Sequence, residues 1–136
     1  MDKKVIDKKI KSLIKKAGSD DLGDITSYLG IKVIKHASKS FYCQIAGKKY
    51  IYLDKEAPEE LQPFILAHEL GHAILHKEEI YHYSPLSINK TSTEREADYF
   101  AFKILGKCID TSLDYTISQY ANLLAVSEDT IKYIMD

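Results

Sequence analysis

The first part of the chain alternates apolar and polar residues with the spacing of an amphipathic helix. Apolar residues recur at this spacing over residues 2–17, and lysines fill the other faces. The pattern predicts an N-terminal helix that ends at Gly18 and a shorter helix over residues 21–29 that ends at Gly30. Because the lysines surround a continuous apolar stripe, we interpret them as the solvated side of a packed helix rather than as an anion-binding surface.

The spacing then changes to the two-residue period of strands. Residues 31–35 and 41–46 alternate, and residues 49–53 are rich in Tyr, Ile and Leu. Gly47 and Lys48 separate the last two segments, with Gly at the first central position that a type II′ hairpin turn requires. The sequence therefore predicts three short antiparallel strands.

Helical spacing returns in the second half of the chain. It predicts two longer helices over residues 61–77 and 93–105, joined by a polar connection, and two shorter helices over residues 113–124 and 127–135. Helices, a small sheet and then further helices indicate an α+β fold. A length of 136 residues indicates that residues 1–136 form one domain.

The composition argues against several classes of protein. The 19 basic and 20 acidic residues give a net charge of −1, which provides no general attraction for nucleic acid or anionic lipid. Two cysteines are too few for a disulfide scaffold. No apolar run reaches the ~18 residues of a membrane span, and the lysine-rich start lacks the apolar segment of a signal peptide. We therefore expect a soluble, cytoplasmic protein.

Residues 68–72 carry the motif H-E-x-x-H within a predicted helix. His68 and His72 are four residues apart and lie on one helix face, about 6 Å apart along the axis, so they can bind one metal ion. Glu69 is then placed to take a proton from a water that the metal activates. Two imidazoles with an oxygen ligand suit Zn²⁺. Since burying these groups in an apolar helix is costly without a partner, we favour a zinc site over two surface histidines.

The helix predicted over residues 93–105 offers three carboxylates for the third ligand position. On a helical wheel Glu94 lies closest to the apolar face, Asp98 lies on the same side, and Glu96 lies on the opposite side. We predict that Glu94 binds the metal and that Asp98 accepts the N–H of a ligand histidine and fixes its tautomer. Glu96 is the alternative ligand. The ordinary explanation is helix capping for Glu94 and Glu96 and a simple surface carboxylate for Asp98.

Other polar residues around the motif have less definite roles. His76 lies eight residues beyond His68, too far along the helix to share one ion with it. We interpret His76 as a residue that the helix C-terminus favours, or as a group that supports a ligand. The residues that could assist zinc in holding an oxyanion are Tyr81, His82, Tyr83 and Tyr99.

Two linked motifs resemble the ImmA/IrrE family of small intracellular metallo-endopeptidases. They are H-E-L-G-H-A-I-L-H at residues 68–76 and E-x-x-A-D-x-F-A at residues 94–101, and the resemblance extends over residues 20–135. It implies a zincin-like core whose third ligand is a glutamate on the later helix. Family members cleave helix-turn-helix repressors of phages and other mobile elements, which implies a protein substrate of that class. Residues 103–106 lack the Leu-Met-Pro-like end common in the family, which concerns substrate contacts more than catalysis.

Two other classes of function fit parts of the sequence. Residues 117–135 have the order of a DNA-binding helix-turn-helix, with a short helix, a turn and a second helix. The second helix begins with Glu128 and Asp129, which would repel phosphates. We therefore interpret this segment as a packed helical pair, and direct binding of nucleic acid is not expected. A non-proteolytic metal-binding regulator is the remaining alternative. Glu69 argues against it, because a structural zinc site needs no acidic base.

Overall fold

A computed structural model describes residues 1–76, 90–106, 114–124 and 126–135. The helices are α1 (Lys3–Ala17), α2 (Leu22–Leu29), α3 (Gln62–Leu75), α4 (Lys90–Ile104), α5 (Ile117–Leu124) and α6 (Glu128–Met135). The strands are β1 (Ile31–Ala37), β2 (Phe41–Ile45) and β3 (Lys48–Asp54), and a 3₁₀ turn, Glu59–Leu61, precedes α3. The α+β prediction is confirmed.

Most predicted helix boundaries lie within a few residues of the observed ones. Gly18 and Gly30 follow α1 and α2 as predicted, and Ser127, just before α6, accepts a hydrogen bond from the backbone N–H of Thr130 at 3.1 Å. The helix α4 begins at Lys90, three residues earlier than expected, so the polar connection predicted up to residue 93 is shorter.

The sheet has the strand order β1-β3-β2. As predicted, β2 and β3 form an antiparallel hairpin, but β1 pairs with β3 in parallel, from Ile31 opposite Lys49. The expectation of three antiparallel strands is therefore wrong for β1. The alternating pattern identifies strands but does not say which one is central, and here β3 lies between the other two.

The hairpin turn also differs from the prediction. Ile45 pairs with Lys48, so the two central residues are Ala46 and Gly47. Both have positive φ, 51° and 80°, which is the geometry of a type I′ turn rather than a type II′ turn centred on Gly47 and Lys48. The pairing register, which the local sequence does not reveal, moves the turn by one residue.

The main hydrophobic core lies between the helices and one face of the sheet. Its largest fully buried apolar side chains come from five different elements: Ile6, Ile25, Ile51, Leu70 and Phe100. The predicted apolar stripe of α1 is confirmed, since Ile6, Ile10 and Leu13 are buried. Helices α5 and α6 share a smaller cluster around Tyr120, Ala121 and Ile131. Among the described residues, no helix has the length and apolar character needed to cross a membrane.

Close packing of α3 against α4 holds the centre of the molecule together. A Cβ built on Gly71 of α3 would lie 3.2 Å from the Cα of Ala97 and 3.1 Å from Cδ1 of Phe100 on α4. These distances are shorter than ordinary carbon contacts, so a side chain at Gly71 would require the backbone at Ala97 and the Phe100 side chain to shift by a few tenths of an ångström.

We therefore predict that Gly71→Ala destabilises the protein. Overpacking costs about 1–3 kcal/mol, while the better helix propensity of alanine returns about 1 kcal/mol, so we expect a net loss of up to about 2 kcal/mol. Urea unfolding followed by circular dichroism measures the change. A variant more stable than wild type would show that α4 can shift away without cost.

Candidate metal centre and active site

Three predicted metal ligands meet at one point between α3 and α4. The Nε2 atoms of His68 and His72 lie 3.2 Å apart. One carboxylate oxygen of Glu94 lies 2.9 Å from Nε2 of His68, and the other lies 3.1 Å from Nε2 of His72. Of all the His, Cys, Asp and Glu side chains in the described part of the chain, these three form the one group spaced to hold a metal ion, with ligand atoms within 4.8 Å of one another.

The donor set and its spacing fit a divalent metal ion such as Zn²⁺. Bond lengths of about 2.0–2.1 Å in a tetrahedral site place neighbouring ligand atoms roughly 3.3 Å apart, close to the distances found here. Two imidazoles and one carboxylate also leave a fourth position open, as in hydrolytic zinc sites. The i, i+4 spacing on α3 aligns the histidines, and α4 supplies the carboxylate from the facing helix.

The outer nitrogen of each histidine has its own partner. Nδ1 of His68 lies 2.7 Å from a carboxylate oxygen of Asp98, the arrangement expected for fixing its tautomer. Nδ1 of His72 lies 3.0 Å from Nδ1 of His76, whose Nε2 lies 2.8 Å from Glu96. If both outer nitrogens carry the proton, the two Nε2 lone pairs face the same point.

Glu94 and Glu96 occupy different environments from those that the helical wheel suggests. The Glu96 side chain is 9% exposed, whereas that of Glu94 is 40% exposed. Glu96 is therefore the more buried of the two, and the expectation that Glu94 lies closest to the core is wrong. Glu96 is buried because its two oxygens contact His76 and the terminal ammonium of Met1. Glu94 lies at the more open edge, beside the histidine pair.

The charges of these groups stabilise one another. Burial alone would lower the pKa of His68, but hydrogen bonds to Asp98 and Glu94 outweigh it and raise the pKa to about 10. Burial alone would raise the pKa of Glu94, but hydrogen bonds from His68 and His72 lower it well below its usual range. Without a metal ion, a proton on His68 therefore balances the neighbouring carboxylates.

Glu69 is buried next to the three predicted ligands. Glu69 is 8% exposed, and its carboxylate accepts a hydrogen bond from the backbone of Tyr42 on β2. Burial raises the pKa of Glu69, and the charge of Glu94 adds to the effect, while the two histidines oppose it. A carboxylate with a raised pKa accepts a proton more readily than an ordinary surface carboxylate, which suits a general base.

The other polar residues considered in the sequence analysis have different positions. The hydroxyl of Tyr99 donates to Asp7 of α1 at 2.9 Å. Its hydrogen-bond partner is therefore Asp7 and not a group of the histidine pair. His76 ends α3 and contacts His72, in agreement with a supporting role. Tyr81, His82 and Tyr83 lie outside the described residues.

Sequence reasoning missed two partners of the site. Thr130 of α6 donates a hydrogen bond to Asp98 at 2.6 Å, and Glu96 is the partner of His76. Both contacts join residues far apart in the chain. No local spacing in the sequence indicates either of them.

Comparisons with known proteins agree with the geometry. A family model described as the IrrE N-terminal-like domain, a peptidase family, matches residues 26–105, which is more than half of the chain. The chain is also similar to a protein of Bacillus phage phi105 named "Uncharacterized immunity region protein 2". The two are 31% identical over 121 residues, covering 83% of this chain and 72% of the phage protein.

We predict that Glu94→Gln weakens Zn²⁺ binding by at least about 100-fold, because it removes a charged ligand. The matched variant Glu96→Gln should weaken binding by no more than about tenfold, because Glu96 acts through His76 and His72. Competition with a chromophoric chelator measures both affinities. The opposite order of effects would assign the third ligand to Glu96.

We also predict that Zn²⁺ affinity rises with pH. Since the pKa of His68 is about 10 in the metal-free site, zinc must displace one proton from it at neutral pH. The apparent affinity should therefore rise about tenfold per unit between about pH 6 and pH 8. Glu94 is ionised throughout this range and adds no dependence. Calorimetry in two buffers of different ionisation enthalpy counts the released proton, and an affinity independent of pH would contradict the charge arrangement.

Proposed function

The chain belongs to the family of IrrE N-terminal-like peptidases, and on this basis we propose that it is a zinc-dependent endopeptidase that cleaves a protein partner. The ImmA/IrrE resemblance expected from the motifs is thereby confirmed. The observation that carries the proposal is the convergence of His68, His72 and Glu94 on one point, with Glu69 buried beside them.

The side chains present suit the hydrolysis of a peptide bond. When bound, zinc lowers the pKa of a water molecule and polarises the carbonyl group of the scissile bond. Glu69 takes a proton from the attacking water as the water oxygen bonds to the carbonyl carbon. The carbon–nitrogen bond then breaks, and Glu69 returns the proton to the leaving amine. One water is consumed, and the products are a carboxyl group and an amine.

The environment of Glu69 supports both proton transfers. Its raised pKa brings the carboxyl group closer to neutral pH, where a general base must both accept and release a proton. The backbone hydrogen bond from Tyr42 ties the carboxylate to the edge strand β2, which packs against α3. Glu69 is therefore held in place by the sheet as well as by its own helix.

The proposed substrate class rests on the family resemblance and on the name of the matching phage protein. The matching phage protein carries an immunity-region name, and the ImmA/IrrE resemblance of the motifs implies a repressor as substrate. We propose a helix-turn-helix repressor of a phage or another mobile element as the substrate, encountered in the cytoplasm. A non-proteolytic metal-binding regulator would bind such a repressor without cleaving it.

We further propose that residues 1–136 form one zincin-like domain. The helices that flank the matched residues pack on the same core, since Ile6 of α1 is fully buried in it and Tyr133 and Ile134 of α6 pack against it. In α6, Thr130 and Ile131 are buried, while the acidic residues Glu128 and Asp129 of its first turn are exposed. This burial agrees with a packed helical pair rather than a DNA-reading helix.

We predict that Glu69→Gln abolishes cleavage while the protein keeps its zinc. General base catalysis contributes about 10²–10⁴-fold, so the cleavage rate should fall by at least about 100-fold. The experiment incubates zinc-loaded wild type and variant with candidate repressors encoded by neighbouring genes and follows the fragments by mass spectrometry. The control is Glu60→Gln, an exposed glutamate of the 3₁₀ turn, which should cleave like wild type.

Three outcomes of this experiment would count against parts of the proposal. Equal cleavage by wild type and Glu69→Gln would remove Glu69 from the chemistry. Tight binding of a repressor by both proteins without cleavage would favour the non-proteolytic regulator. Wild type without stoichiometric metal would reject the zinc site itself.

A further inference from the structure

The hydroxyl of Thr130 belongs to a hydrogen-bond chain that leads to the candidate metal centre. Thr130 lies in the first turn of α6 and is completely buried. Its Oγ1 donates to Oδ2 of Asp98 at 2.6 Å, and Oδ1 of the same carboxylate lies 2.7 Å from Nδ1 of His68. Each oxygen of Asp98 therefore has a separate partner.

The cap of α6 holds the Thr130 hydroxyl in this direction. Oγ of Ser127 accepts the backbone N–H of Thr130 at 3.1 Å and lies 2.9 Å from Oγ1 of Thr130. Because the hydroxyl proton of Thr130 goes to Asp98, the hydroxyl of Ser127 must donate to Thr130. Ser127 therefore contacts both the backbone N–H and the hydroxyl oxygen of Thr130. The hydroxyl proton of Thr130 is left to donate to Asp98.

We propose that Thr130 is a positioning residue for the metal centre, acting through Asp98 on His68; this inference rests on the zinc site of the proposed function. With Oδ2 tethered to Thr130, the carboxylate of Asp98 cannot rotate freely, and Oδ1 stays in line with Nδ1 of His68. The proton that His68 would retain on binding zinc is thereby kept on Nδ1, and Nε2 faces His72 and Glu94.

Loss of the Thr130 hydroxyl would leave one oxygen of Asp98 without this donor in a largely buried position. A carboxylate in that state turns toward another donor or draws in water, because a buried oxygen without a hydrogen bond is unfavourable. Rotation moves Oδ1 away from His68, and a mobile water in place of the hydroxyl holds Asp98 less firmly. The expected consequence is weaker metal binding, without any loss of a ligand.

Thr130 lies outside the residues that the family model matches, 26–105. Helix α6 also packs on α4 through an edge-to-face contact between Tyr133 and Tyr99, whose ring centroids are 5.6 Å apart. This packing fixes α6 against the helix that carries Asp98. The inference therefore makes the C-terminal helix a part of the metal centre.

The test is the Zn²⁺ affinity of Thr130→Val, which replaces the hydroxyl by a methyl group of similar size. Outer partners of metal ligands contribute about 10–100-fold to affinity, and we expect a loss of about tenfold here. Thr130→Ser restores the hydroxyl and should bind within about twofold of wild type. Thr26→Val is the matched control: Thr26 is also a buried helix threonine, but its hydroxyl donates to Gly23 within α2.

Two further measurements separate positioning from general loss of structure. In an Asp98→Asn background, Thr130→Val should cause no further loss of affinity, because the two residues act in series. The visible spectrum of the Co²⁺-loaded protein should change in Thr130→Val and be normal in Thr130→Ser and Thr26→Val. If Thr130→Val does not fold, Thr130→Ala takes its place in the same comparisons.

The results distinguish this inference from the proposed function. Wild-type affinity in Thr130→Val, or an equal loss of affinity in the presence and absence of the Asp98 carboxylate, would overturn the role of Thr130. Wild type that binds no stoichiometric Zn²⁺ would instead overturn the zinc site. Wild type that binds Zn²⁺ without cleaving any repressor would affect the protease proposal alone, since the affinity comparison does not depend on cleavage.

Discussion

The contact between Gly71 on α3 and the side of α4 at Ala97 and Phe100 sets the distance between the two central helices. With the helices this close, short carboxylate side chains on α4 reach the histidines of α3. Glu94 and Asp98 sit one turn apart on α4, and His68 and His72 sit one turn apart on α3, so the pairs meet side by side. A larger residue in place of Gly71 would require α4 to shift beside the site.

Burial then requires that the polar groups satisfy one another. An imidazole or a carboxylate placed in the interior without a partner would destabilise the fold, and the contacts described here give His68, His72, His76, Glu94, Glu96 and Asp98 at least one each. The two predicted ligand histidines are supported differently. Asp98 contacts His68 directly, whereas His76 stands between His72 and Glu96. Several carboxylates around two imidazoles favour a cation at their centre, which a divalent metal ion provides.

Helix α6 connects to this centre although it shares a small apolar cluster with α5. Helix α6 reaches the main core through Tyr133 and Ile134 and reaches Asp98 through Thr130. The hydrogen bonds around the histidines thus extend from α3 through α4 to α6. Helices that lie outside the short motif therefore contribute to the geometry of the candidate metal site.

Features that depend on local spacing could be predicted from the sequence. The period of apolar residues located the helices and strands, and the four-residue interval between His68 and His72 predicted that they would share one side of α3. Three other features follow from tertiary packing: β3 lies between β1 and β2, Glu96 is more buried than Glu94, and Thr130 contacts Asp98. These outcomes depend on how segments distant in the chain approach one another. A helical wheel or an alternating pattern describes the period of one segment only. It does not show which side chain of another segment will pair with a buried charge and make its burial favourable.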